Sequence, residues 1–412
     1  MKADLDRLMA ERNIDAAVVM GAMAGNPTLY YLVNGAKLSS GTVVKKRNEP
    51  AVLIHSSIER DEAARSGLET IDIRQYNYLE LLREAGGNRL LAMVRLLARV
   101  FQERGISGRV AFYGTEDRGA AYALLRAIDE HVPGVEVVGE FGSNLFVAAR
   151  STKDPTEVER IREAGRKTVA TVDATIDFLR SHRVRDNVLV DNAGAALTVG
   201  RVKHFVRRTL FDHDLEEEVE TIFAIGRDAG IPHSHGDDHD AVRLGQSIVF
   251  DLFPRERGGG YFFDMTRTFC LGYAPAEVAS VFEDVRACFE TVVSALEAGT
   301  PAGHYHELAC DFFESRCHPT LHSDPGTEEG FVHTLGHGIG LSIHEQPFIH
   351  DAPGTQDVLD TGAIFTIEPG LYYPDRGFGV RLEDVFYVDS DGVFHNLTNY
   401  PKELVIDMPA GA

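Results

Sequence analysis

Cysteine is scarce in this 412-residue chain, which has only Cys270, Cys288, Cys310 and Cys317. None forms a CxxC pair, so neither a zinc ribbon nor a thioredoxin-like redox motif is indicated. All four read as small buried hydrophobes in a reducing compartment. Long apolar runs are missing too, and nothing approaches the ~20 residues that a membrane-spanning helix needs. The opening MKADLDRLMAERNIDAAVVM is charged throughout and holds no signal-peptide core, so a cytoplasmic protein is expected. Positive charge is in short supply: Lys and Arg number 41 against 63 Asp and Glu, a net charge of −22. That argues against a nucleic-acid or membrane-surface partner, since either would want a basic face. Part of the excess acid is expected around bound metal ions.

What is present is an ordinary globular composition, 44% hydrophobic and 25% charged. The chain is too long for one ordinary core, so two domains are expected, 1–150, whose pattern reads as α/β, and 151–412. The first reads as a short helix over 3–12, a strand at Ala16–Met20, strands at Val43–Val44 and Ala51–Ile54, an apolar helix at Leu90–Phe101, and strands at Arg109–Phe112 and Val135–Val138. The second opens on a helix-start signature: Asp154 as N-cap, Pro155 at the first helical position and Glu157 as the capping-box acid. Val158, Ile161, Val169, Val172, Ile176 and Leu179 then fall close to one helical face. A further helix is expected over Ala276–Ala298, stopped by Gly299 and Pro301. Strand-like runs follow the pattern Ser247–Phe253, Tyr261–Phe269, Ala363–Ile367 and Arg381–Val388, with Arg255–Gly260 as the turn between the first two. No internal repeat or low-complexity tract is seen.

Four segments of the second half set an acid or a histidine among apolar neighbours. Asp251 lies inside Ile248–Phe253, where a lone carboxylate is costly to bury and should be paired or bound to metal; a strand-end position facing water is the alternative. Asp264 lies within Tyr261–Phe269. A hairpin at the glycine turn would bring it close to Asp251, and two such carboxylates repel unless a cation or proton lies between them. A salt bridge from Asp264 to Arg267 is the competing explanation. His337 sits in Gly336-His337-Gly338-Ile339-Gly340, whose glycines allow close backbone approach, with His344-Glu345 following. Glu368 and Glu383 sit in IEPG and RLED contexts like that of Asp251. Taken together, two Asp, one His and two Glu make an oxygen-rich site that suits Mn, Fe, Co or Zn and balances two divalent cations.

The order Asp, Asp, GHGIG His, IEPG Glu and RxED Glu resembles the metallopeptidase family of Xaa-Pro dipeptidases, Xaa-Pro aminopeptidases and methionine aminopeptidases. The opening LMAERxID and NPxxxYYL resemble the N-terminal domain of its prolidase-like members, so the likeness spans the whole chain. The resemblance implies a creatinase-like α/β domain followed by a "pita-bread" catalytic domain. It implies Asp251, Asp264, His337, Glu368 and Glu383 as ligands of two metal ions, manganese first, with cobalt or zinc as the alternatives. It further implies that Glu368 manages the proton of a bridging water, and that His344 and Arg381 aid substrate binding and the transition state. Short proline-containing peptides are the implied substrates and a homodimer the implied assembly. His344, Arg381 and the N-terminal domain favour the proline-specific branch over methionine aminopeptidases.

Two spacings depart from the family pattern. The aspartates stand 264 − 251 = 13 apart, a longer gap than usual, with the extra residues in the glycine turn, where insertion is cheap. The family also places a histidine upstream of the first aspartate. Here His233 and His235 both qualify; His233 is favoured because it follows Pro232, and His239 reads as a solvated loop residue. An incidental metal-binding surface tract is the rival account of that segment. Prolidase-like dipeptidase activity is the function expected, with an Xaa-Pro aminopeptidase or a proline-directed carboxypeptidase as alternatives. A metal-free creatinase-like C–N hydrolase and a non-enzymatic binding protein are the rivals from other classes.

Overall fold

The computed structural model describes residues 2–354 and 356–408. They form two compact units. One runs to Arg150 and includes Gly258–Gly260; the other comprises Ser151–Arg257 and the residues from Tyr261 onward.

The first unit is a six-stranded mixed sheet in the order β4-β3-β2-β1-β5-β6. Its strands are β1 Ala16–Ala22, β2 Ser40–Lys46, β3 Val52–His55, β4 Glu69–Asp72, β5 Gly108–Thr115 and β6 Val135–Val138. Ala16 to Val19 are all buried, which is why β1 reads as an unbroken apolar run: a central strand is covered on both faces. Two of its helices are α1 (Leu5–Glu11) and α2 (Arg89–Arg104). Asn88 caps α2 by accepting from Leu91 N–H, and Gly105, at φ +59°, ends it. Ala92, Leu96, Val100 and Phe101 of α2 join the core formed by Val18, Val44, Ile54 and Val110.

The second unit opens on α3 (Pro155–Arg180). Its capping box forms as expected: Asp154 accepts from Thr156 and Glu157 N–H, and the Glu157 carboxylate accepts from Asp154 N–H. Val158, Ile161, Val172 and Leu179 are buried, whereas Val169 and Ile176 are only half-buried. Two sheets follow. One is ordered β7-β8-β9-β17, with β7 Ile222–Ile225, β8 Ser247–Leu252, β9 Met265–Leu271 and β17 Val405–Ile406. The other is ordered β11-β10-β12-β15-β16, with β10 Gly336–Gly338, β11 Glu345–Ile349, β12 Ile364–Ile367, β15 Asp384–Val388 and β16 Phe394–Asn396. A hairpin of β13 (Gly370–Tyr373) and β14 (Phe378–Arg381) interrupts the second sheet's sequence. Helices α4 (Ala276–Ala295) and α5 (Ala302–Ser315) pack Val285, Val292, Tyr305 and Phe313 into one core with Phe365, Ile367, Val380 and Phe386. No described helix is long and apolar enough to cross a membrane.

Several expected boundaries move. The strand expected from Tyr261 begins only at Met265 and runs on to Leu271. Tyr261, Phe262 and Phe263 are buried packing residues, and Gly165 of α3 makes room for the Phe263 ring, which would lie 2.4 Å from any Cβ there. The run Arg381–Val388 is broken at Leu382-Glu383 because β14 pairs with β13 and β15 pairs with β12. Helix α4 stops at Ala295, where Leu296 turns extended before Gly299 is reached. Arg255–Glu256 form a short ladder with Leu215–Glu216, so the turn is narrower than expected. Cys270, Cys288 and Cys310 are buried, but Cys317 is exposed, in the left-handed region at φ +64°.

Candidate metal centre

Two of the expected ligands lie within strands and three lie just outside one. Asp251 lies on β8, every residue of which is buried, and faces Thr266 in the antiparallel register with β9. Asp264 precedes β9 by one residue, Glu368 follows β12 by one, and Glu383 fills the gap between β14 and β15. His337 is the middle residue of β10. Its flanking glycines are required by space: a Cβ at Gly336 would lie 2.0 Å from Thr366 O, and one at Gly338 would lie 2.2 Å from Gln346 O. The GHG pattern therefore records close backbone packing around the histidine.

These side chains converge. Ligand atoms of Asp264, His337 and Glu383 all lie within 4.8 Å of one another. His337 Nε2 is 3.8 Å from Asp264 Oδ2 and 3.6 Å from Glu368 Oε1. His337 Nδ1 lies 3.1 Å from Gly338 O; a carbonyl only accepts, so Nδ1 carries the hydrogen and Nε2 presents a lone pair to the carboxylates. Burial and the neighbouring His344 lower the His337 pKa to about 3, which keeps the ring neutral. Burial and then the mutual repulsion of the acids raise Asp264 and Glu368 well above the ordinary carboxylate range, Glu383 being the largest charge acting on each. Glu383 itself is pushed up to about 8 by burial and by Asp251.

Whether cations fit is decided by orphaned oxygens. Asp251 Oδ1, Asp264 Oδ1 and Glu383 Oε1 are buried with no hydrogen-bond partner. A carboxylate oxygen left so is costly, and a divalent cation among hard oxygen donors and one imidazole supplies the missing partner. The ligand set therefore fits metal. The competing pair is absent: Arg267 bonds Asp384 at 2.7 Å, not Asp264. Asp251 is buried, so the water-facing strand end is excluded as well. A second trio, Asp311, Glu314 and His322, also comes within 4.8 Å but is largely exposed.

The next layer was only partly visible in the sequence. Arg381 Nη2 donates to Asp251 Oδ2 at 2.5 Å, Nη1 to Tyr372 Oη at 2.6 Å and to Pro232 O at 3.2 Å, and Nε to Thr266 Oγ1 at 3.2 Å. Its donors thus face protein groups, Asp251 foremost. Thr266 in turn donates to Glu383 Oε2 at 2.8 Å. His333 extends this chain. Its Nδ1 is 2.7 Å from Thr334 O and its Nε2 is 2.9 Å from Tyr372 Oη. Burial and Arg381 lower His333 to about 3, so its single hydrogen sits on Nδ1 and Tyr372 must donate to Nε2. His333, Tyr372 and Thr266 were not singled out from the sequence. The alternation in Asp264-Met265-Thr266-Arg267-Thr268 was the available signal, since it sends both threonines to the face that Arg267 avoids.

The histidine ring of His344 meets His337 edge-on, with centroids 4.3 Å apart and planes at 88°. Partial burial, and then His233, lower its pKa. His233 acts electrostatically on His333 as well and follows Pro232, whose carbonyl accepts from Arg381; its own side chain is exposed. His235 is half-buried, with Nδ1 inaccessible and unpartnered. His239 is exposed. Lys203 braces this tract by donating to Gly236 O at 3.3 Å and Asp238 Oδ1 at 3.0 Å.

Comparison with known proteins is consistent with this geometry. Residues 159–390 match the model of metallopeptidase family M24, and residues 2–142 match that of the creatinase/prolidase N-terminal domain. The chain is 31% identical over 271 residues to a protein from Mycobacterium bovis named probable dipeptidase PepE, a stretch covering 66% of this chain and 64% of that protein. The aligned part thus spans just under two thirds of that relative's length. Over 295 residues it is 29% identical to a protein named Xaa-Pro dipeptidase from Lactobacillus delbrueckii subsp. lactis, covering 71% of this chain and 72% of that one. Among solved structures, an X-Pro aminopeptidase from Thermotoga maritima superposes with a TM-score of 0.76 at 22% identity, over 97% of this chain and 100% of the other. At that identity the likeness speaks to the fold alone.

Proposed function

The chain belongs to metallopeptidase family M24, and from that premise we propose that it is a metal-dependent exopeptidase that hydrolyses short peptides at an Xaa-Pro bond. Asp251, Asp264, His337, Glu368 and Glu383 would hold two divalent cations, manganese first, with cobalt or zinc as alternatives. Bound there, the ions would polarise the scissile carbonyl and acidify water enough for attack at neutral pH.

The chain's own residues would do the rest. Glu368 Oε1, 3.6 Å from His337 Nε2, is the atom we assign to take and return the proton, a role that contributes roughly 10²–10⁴-fold. His344 is held against His337 with a lowered pKa. It is therefore neutral near pH 7 and offers a single N–H to the oxyanion that develops on the carbonyl. His233 acts on it electrostatically, and we assign it, ahead of His235, to the substrate side of the cluster. Arg381 acts through Asp251 and Tyr372, which it holds in place. A proline peptide bond has no N–H and a fixed φ, so the pocket must read ring shape.

The observation that carries the reading is the set of buried, partnerless carboxylate oxygens around one neutral imidazole. It speaks against a metal-free hydrolase of the same fold, which has no use for them. The names of the relatives, both dipeptidases, favour the two-residue substrate. The test is a panel of Xaa-Pro dipeptides, Xaa-Pro-Xaa tripeptides and a Met-Ala control, with and without chelator. Chelator-sensitive cleavage of the dipeptides alone is expected. Cleavage of tripeptides would move the assignment to an aminopeptidase or a carboxypeptidase, according to which end residue is released.

A further inference from the structure

Strand β9 has two faces. On one, Thr266 Oγ1 donates to the Glu383 carboxylate and Thr268 Oγ1 to Arg381 O; Arg267 lies on the other. Arg267 is only 4% exposed, and its five N–H groups meet five acceptors. Nε donates to Pro401 O at 2.9 Å; Nη1 donates to Thr266 O at 2.8 Å and Glu383 O at 2.7 Å; Nη2 donates to Asp384 Oδ1 at 2.7 Å and Tyr400 O at 2.8 Å. Asp384 is wholly buried; its other oxygen accepts from Asn396 Nδ2 at 2.6 Å and from Lys402 Nζ. One guanidinium thus fastens the strand that follows Asp264, the Glu383-Asp384 junction and the 400–402 segment. Glu383 needs this anchor. It sits in the break between β14 and β15, where its backbone is held through its N–H on Thr266 O, at 3.1 Å, and its carbonyl on Arg267. A lysine ammonium, a compact donor of three hydrogens, cannot reproduce five bonds in a fixed plane.

We propose that Arg267, backed by Asp384 and Lys402, is a positioning unit for the metal ligands. It fixes the backbone of Thr266 and Glu383 so that the Glu383 and Asp264 carboxylates stand ready to share a cation. This rests on the metal reading above and deepens it. Arg267 touches neither substrate nor ion; it acts through Glu383.

The experiment takes the full chain, strips it with chelator and titrates Mn²⁺ by calorimetry into the parent and into Arg267→Lys, Asp384→Asn and Lys402→Gln. Melting of the stripped proteins, kcat and KM are measured alongside. Arg267→Lys is expected to weaken Mn²⁺ binding by about 10–100-fold, as loss of an outer-layer partner does, and to lower kcat while leaving KM nearly unchanged. Lys402→Gln, at the 18%-exposed end of the network, should show the same shift in smaller measure. A merely structural brace would lower the melting temperature and leave Mn²⁺ affinity at the parental value; that result overturns the proposal. If Arg267→Lys does not fold, parental Mn²⁺ affinity in both other variants overturns it equally. A parent that binds no metal ion at all would remove the metal reading and this proposal together, and no other outcome does both.

Discussion

The two units differ in how deeply they bury charge. Before residue 151 many ion pairs stand at the rim: Arg7–Glu11, Arg83–Glu80 and Arg126–Glu130 leave roughly half or more of each side chain in water, and in the deeper pair Lys45–Asp6 the aspartate still keeps 41% of its side chain exposed. After it, surface pairs such as Arg166–Glu159 occur as well, but Arg267–Asp384 is 4% and 0% exposed, Lys153–Glu345 2% and 3%, and Arg381–Asp251 3% and 11%. Water screens the first group, and such pairs contribute little to stability. The second group must be satisfied bond by bond, because an unpaired buried charge is strongly destabilising. The second unit gathers three buried acids and the half-buried Glu368 around one histidine, an arrangement that costs stability and so points to a functional site.

Substitutions at the buried end should break this contrast most severely. Asp264→Asn is expected to abolish both metal content and hydrolysis, measured by elemental analysis and peptide assay; full activity would remove Asp264 from the ligand set. Next comes His344→Ala. It should keep its metal content and lose about 10²–10³ in kcat, the value of one oxyanion donor. His233→Ala should fall in the same direction, and a larger loss in His235→Ala would reverse the choice between the two.

A pH comparison sharpens the contrast without mutation. Glu383 is raised to about 8 in the folded chain from an ordinary 4.5, and Asp264 and Glu368 are raised with it. The folded state therefore binds more protons than the unfolded one. The stability these groups allow is fully present below about pH 4.5 and is lost as pH rises through about 8. Chelated protein should melt higher at pH 6.5 than at pH 8, a window above the range in which the lowered His333 and His337 act in the opposite direction, and added Mn²⁺ should restore most of the loss at pH 8. Equal melting temperatures at the two pH values would contradict the mutual repulsion of the acids. The smallest effect is expected at the rim: Arg126→Ala should change neither melting temperature nor activity measurably.

Much of the site was legible because its residues lie in local patterns. GHGIG, IEPG and RLED each couple a ligand to a backbone requirement, as at Gly336 and Gly338, where a side chain has no room. The capping box at Asp154 was legible for the same reason. What stayed hidden depends on partners far along the chain. Arg267 read as a candidate mate for Asp264, three residues away, but bonds Asp384 and the carbonyls of Tyr400 and Pro401. The His333–Tyr372–Arg381 chain depends on how β13 pairs with β14, which no local pattern states. Tyr261–Phe263 read as strand because aromatic residues favour strands and packing alike. The strand break at Glu383 was hidden because Val380 and Val385 are equally apolar on either side of it.

The central claim is that the acids of the second unit hold catalytic metal. Its most direct test is to measure, in one preparation, the metal content of the purified chain and its release of proline from an Xaa-Pro dipeptide before and after chelation. About two divalent ions per chain are predicted, with hydrolysis lost on stripping and restored by Mn²⁺. Unchanged hydrolysis after complete removal of metal would contradict the account.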